Sequence, residues 1–155
     1  MSERHFLCLL RLVLGGVFIY ASWDKLLHPA DFAEIIRSYR ILPAVLVNPA
    51  AIVLPWLELV LGVLLVANRW ADGALLLADL LLVTFWSALA FNYARGLNVH
   101  CGCFSTKAVA EGDMGWYLIR DGAFVLMGLA AMVLLLRAAR SSPQPDSAPA
   151  GALTA

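Results

Sequence analysis

Charge is scarce in this sequence. Only 14% of its 155 residues are charged, divided evenly between eleven basic and eleven acidic side chains, and the formal net charge is zero. With no basic excess there is no electrostatic footprint for nucleic acid, so none is expected as a partner. Cysteine is scarce as well: three residues are too few for a disulfide-braced secreted scaffold. What the chain has in excess is apolar surface, since 62% of its residues are hydrophobic. A water-soluble domain of this length has too high a surface-to-volume ratio to hide that much. In lipid the difficulty disappears, because the solvent is itself apolar. The expectation is an all-α integral membrane protein with almost no soluble domain.

A bilayer core about 30 Å thick is crossed by roughly 20 apolar helical residues. Four stretches meet that length, at residues 6–27, 44–67, 71–93 and 114–136. They predict a four-helix transmembrane domain over residues 1–140. Residues 28–43 carry Phe32, Ile35, Ile36 and Tyr39 against Asp31, Glu34, Arg37 and Arg40, which reads as a short interfacial helix. Pro29 stands near its start and Pro43 is expected to close it. The link at residues 68–70 is so short that the spans on either side must be antiparallel neighbours. Residues 141–155 are rich in Pro, Ser and Ala and are expected to be a disordered tail. The first span is expected to stay in place rather than be cleaved as a signal peptide, since Arg11 interrupts its apolar run.

Four spans put both termini on one side and the two long loops on the other. Basic residues are spread over both sides, so the positive-inside rule does not decide between them. The termini are placed in the cytoplasm because the paired cysteines then face an oxidising compartment. That arrangement implies a bacterial inner membrane with the cysteine loop on its outer side.

Arg11, Glu58, Asp79, Arg120 and Asp121 fall inside the spans, where each is costly unless paired or solvated. Helix rise sets Arg11 about 8 Å, Asp79 about 12 Å and Glu58 about 14 Å from the terminus side. These similar depths suggest that Arg11 pairs with Glu58, Asp79 or both. The pairing would serve as structural glue, or else as a polar pocket or proton path. Arg120 and Asp121 lie about 9 Å inside the last span from the long-loop side. From there Arg120 can extend toward the loop, where a fixed cation lowers a thiol pKa, or toward lipid headgroups. Trp23, Trp56, Trp70, Trp116 and Tyr93 read mostly as interface anchors. Gly15, Gly16, Gly62 and Gly128 read as sites of close helix packing. Cys8, alone in the first span, reads as a small packing residue.

The chemistry is concentrated at His100-Cys101-Gly102-Cys103-Phe104. Two thiols one glycine apart can join only across a tight turn, which glycine permits. Such a bridge is expected to be strained and easily reduced, suiting exchange better than bracing. His100, Lys107 and Arg95 are the nearby cations by sequence. Zinc binding is the competing reading, with His100, Cys101, Cys103 and His28 as ligands, although the spacing is tighter than usual. Two inert thiols are the third.

The sequence also resembles the DoxX-like membrane proteins, and most closely the MauE family. The residues that carry the likeness are Arg11, Gly15 to Phe18, Ser22 to Leu26, Tyr39 and Leu42-Pro43. It continues through Leu54 to Glu58, Gly62, Cys101 to Phe104 and Arg120-Asp121. The likeness covers roughly residues 7–137. Ser105 stands where that pattern has a glycine, and His100 where it often has an acid. The resemblance implies a four-helix membrane protein of periplasmic thiol–disulfide chemistry, with a thioredoxin-like partner and a disulfide-containing client. The client it suggests is the small subunit of methylamine dehydrogenase. Cys101 and Cys103 would be the redox pair. Arg11, Lys25, Glu58, Asp79, His100 and Arg120 are the supporting polar residues. No cofactor motif is found; a quinone is one candidate electron acceptor. The alternatives are a non-catalytic scaffold or assembly factor and, ranked last, a small-solute carrier.

Overall fold

A computed structural model describes residues 3–97, Gly102 and residues 113–141, with no account of the side chains of residues 3, 4 and 141. The described residues form five helices in the order α1 (Glu3–Leu27), α2 (Pro29–Ser38), α3 (Ala44–Val66), α4 (Ala71–Ala94) and α5 (Met114–Ser141). Four of them, α1, α3, α4 and α5, are long and apolar enough to cross a bilayer. They match the expected spans to within a few residues at their ends. The protein is therefore an all-helical, multi-pass membrane protein.

Because lipid tails are as apolar as leucine, these helices are held by close fit rather than by escape from water. The core they share contains Leu14 and Phe18 of α1, Leu61 and Leu65 of α3, Leu75 and Ala78 of α4, and Ala131 of α5. The outward faces stay apolar, as lipid requires: Tyr20, Val45, Leu80 and Leu126 are all exposed. Among the described glycines, the close backbone-to-backbone approach is between α1 and α3. A methyl added at Gly15 would lie 2.9 Å from the Gly62 carbonyl oxygen, and one at Gly62 would lie 2.9 Å from that of Gly15. Gly128 is also a contact glycine, facing Asp79 across the α4–α5 interface, but Gly16 faces open space. The packing role expected of Gly16 is not what the structure shows.

The interfacial helix is present as α2, with Pro29 in its first turn, where a missing N–H costs nothing. It lays Phe32, Ala33 and Ile36 on Val47 and Ala51 of α3. Its polar face is exposed, with Arg37 paired to Glu34. The helix ends earlier than the sequence suggested. Arg40 takes a left-handed backbone (φ 52°), and Pro43 is the N-cap of α3 rather than the stop of α2. The α3–α4 link is as short as expected, turned by positive φ at Asn68 (56°) and Trp70 (48°). Trp23, Trp70, Trp116 and Tyr93 are exposed near helix ends, as interface anchors are. Trp56 is also exposed but lies in the middle of α3, facing lipid.

Candidate functional site

The polar core is built by α1, α3 and α5, near the end of the bundle that carries α2. Lys25, in the last turn of α1, donates to both carboxylate oxygens of Glu58 at 2.8 Å. Both side chains are buried, 4% and 5% exposed, so this is an ion pair shielded from water and lipid alike. The ammonium also lies 5.0 Å from the ring centre of Phe32 on α2 and 5.5 Å from that of Phe85 on α4. One lysine therefore joins four helices: its own, α3 through charge, and α2 and α4 through cation–π contact.

Asp121 of α5 completes the cluster. Together with Lys25 and Glu58 it lines a cavity of about 50 Å³, walled by Phe18, Phe85 and Trp86 among others. That is room for about three waters. Arg120 donates to Asp121 at 2.9 Å and lies 5.2 Å from the Tyr117 ring centre. Two cations and two carboxylates thus balance within the cluster, as burial in hydrocarbon demands. Tyr39, at the C-terminal end of α2, packs against the cluster of Leu89 and Met114, as Tyr117 does. Burial, and then the negative charge of Asp121, pushes its phenol above the ordinary tyrosine value.

The pairing expected of Arg11 is not found. Glu58 belongs to Lys25, and Arg11 instead donates through Nη2 to Asn68 Oδ1 at 2.5 Å and to the Leu65 carbonyl at 3.4 Å. Depth along a helix fixes height but not direction, and Arg11 points to the end of α3 rather than into the bundle. Asp79 is buried against Gly128, and neither of its carboxylate oxygens has a hydrogen-bond partner among the described residues. Arg120 is held by Asp121 and Tyr117. Arg95 lies over Phe91 instead, 5.3 Å from its ring centre. His28 faces Asp24, its Nδ1 being 3.2 Å from the backbone oxygen. Cys8 is exposed rather than packed in the core. Lys25 is the residue that composition and depth alone undervalued. The signal was in the sequence: a lysine one turn inside a span, next to an aspartate.

Cys101, Cys103, His100 and Lys107 lie outside the described residues, as does the expected tail beyond residue 141. The glycine between the two cysteines is described. Gly102 is buried, with φ 65°, and a methyl there would come 2.9 Å from Ile35 Cγ2 of α2. Only glycine suits both the left-handed backbone and the close approach. Ile35 also borders a groove of about 390 Å³ between α2, α3 and α4, lined by Phe32, Tyr39, Leu54, Thr84 and Phe85 among others. Phe32 and Phe85 border that groove and also contact the Lys25 ammonium.

Fold and site together define a small multi-pass membrane protein with a charge-balanced core beneath an interfacial helix. The family described as "Methylamine utilisation protein MauE" matches residues 3–136. The chain belongs to the MauE family. It is 36% identical over 129 residues to methylamine utilization protein MauE of Methylorubrum extorquens, a match covering 83% of this chain and 68% of that one. To the protein of the same name from Paracoccus denitrificans it is 35% identical over 111 residues, covering 71% of this chain and 59% of that one. To that from Methylophilus methylotrophus it is 35% identical over 93 residues, covering 59% and 49%. The chain thus spans between about half and two thirds of the length of these relatives. No solved structure matches it.

Proposed function

We propose that this chain is a membrane thiol–disulfide protein in which Cys101 and Cys103 are the redox pair. The observation that supports this best is Gly102, seated in a left-handed turn on Ile35 of the interfacial helix. That conformation is the one a turn between two closely spaced sulfurs calls for.

The exchange with the client balances between the two proteins: one disulfide is consumed here and one is formed there. A client thiolate attacks one sulfur of the Cys101–Cys103 bridge and forms a mixed disulfide, releasing the other cysteine as a thiolate. A second client thiolate then displaces the first cysteine. The client gains a disulfide and this chain holds two thiols. A thioredoxin-like partner in its disulfide form reoxidises the pair by the same exchange. The groove beside Ile35 has the volume and apolar lining for a quinone ring, which is where that acceptor would fit.

The Lys25–Glu58 pair fixes α1 against α3, and the Lys25 contact with Phe32 ties both to α2, and so supports the surface on which Gly102 rests. The reading includes the wider DoxX-like kinship. It also includes a bacterial inner-membrane location, with cytoplasmic termini and the cysteines outside. The names of the relatives favour a role in methylamine utilisation, with the small subunit of methylamine dehydrogenase as candidate client. Replacing Cys101 and Cys103 together by serine tests the reading. Disulfide formation in the client should fail while the membrane protein accumulates normally. Undiminished client maturation by the double variant would favour the scaffold alternative instead. A solute carrier is the weakest reading, because Arg11, Glu58 and Asp79 do not converge and the cavity beside the Lys25–Glu58 pair is only about 50 Å³.

A further inference from the structure

Among the described residues Arg11 is a cation without a counter-ion: no carboxylate among them pairs with it. Its two bonds, to the Leu65 carbonyl and to Asn68, both use Nη2, and Nε is buried with no partner among the described residues. An uncompensated charge in a span is expensive, and its usual relief is to reach the interface. The structure shows how far it reaches: Asn68 lies just beyond the last residue of α3, so the guanidinium sits at the end of that helix.

It also sits in a cleft. A space of about 280 Å³ opens between α1 and α3, with Leu7, Leu12, Leu65 and Val66 as apolar walls and Arg11 and Asn68 as polar ones. Leu12 and Val66 are exposed on the lipid-facing surface. Cleft and ligand are therefore amphipathic in the same sense: alkyl chain against leucine and valine, phosphate against guanidinium. The planar guanidinium fork suits phosphate oxygens and binds them by charge-assisted hydrogen bonds. Among the described side chains at this end of the bundle, Arg69, Arg137 and Arg140 are exposed against Asp72, which favours an anion further.

We propose that the α1–α3 cleft binds an anionic phospholipid, with its phosphate on Arg11. The inference does not depend on the thiol chemistry, and the two can fail separately.

Native mass spectrometry of the full chain in detergent tests it, with added phosphatidylglycerol, phosphatidylcholine or inorganic phosphate. The unaltered protein should retain one phosphatidylglycerol in preference to phosphatidylcholine. Arg11→Gln should lower the bound fraction by about tenfold, the effect of one lost charge-assisted contact, and Arg11→Lys by less. Cys8 borders the cleft and is exposed, which allows two checks that keep Arg11. Cys8→Trp should fill the space and displace the lipid, and bound lipid should slow alkylation of Cys8. The proposal is overturned if the unaltered protein retains no lipid, or if Arg11→Gln and Cys8→Trp retain it fully. It is overturned equally if lipid leaves Cys8 alkylation unchanged, or if inorganic phosphate alone binds and displaces the lipid.

Discussion

Lys25 and Glu58 carry opposite charges into a place where neither is tolerated alone. Removing one partner leaves the other buried and unpaired, a cost of about 3–5 kcal/mol. Lys25→Met and Glu58→Gln are each expected to lose that much in denaturant unfolding of the purified protein. The double variant Lys25→Met, Glu58→Met should recover most of it, because it leaves no orphaned charge. Glu58 stands out in the sequence as a residue needing a partner, yet similar depth points to Arg11 where the structure has Lys25. Distance along the chain converts to height by helix rise, whereas direction around the axis depends on how the helices rotate when packed. Tyr39 offers a second test at this scale. Its phenol holds its proton in the folded protein at a pH where an unfolded-chain tyrosine, near pH 10, has lost it. The folded state therefore binds more protons, and this group's contribution is complete below about pH 10 and lost as pH rises beyond. In alkaline unfolding, Tyr39→Phe should lose less stability across that range than the unaltered chain.

Helices α1 and α3 meet backbone to backbone, because Gly15 and Gly62 stand opposite each other. A methyl at Gly62 must push the helices apart, so Gly62→Ala is expected to cost about 1–3 kcal/mol. Gly16→Ala, facing open space, should be neutral in the same unfolding measurement. The sequence named both as packing glycines; it could not say which faced a neighbour, since adjacent positions on a helix point about 100° apart. The interfacial helix was more legible. Its alternation of Phe32 and Ile36 with Asp31, Glu34 and Arg37 follows the helical period, and the buried residues are the apolar ones. Its end was not legible. Nothing in the side chain of Arg40 calls for the left-handed backbone that stops the helix there.

The whole molecule was the easiest level to read. Four spans follow from length and hydropathy, which depend on the solvent rather than on any contact, and the helices fall where that argument puts them. The site was only partly legible. Its charged residues are conspicuous in an apolar chain, but their pairing is a property of the bundle. Sidedness is set by neither, and it decides whether the cysteines can act as proposed. The direct measurement is labelling of intact cells with a membrane-impermeant thiol reagent, before and after reduction, in a Cys8→Ser background. The account predicts that Cys101 and Cys103 are unreactive at first and both label from outside once reduced. Full labelling without reduction, or labelling only after the cells are broken, would contradict it.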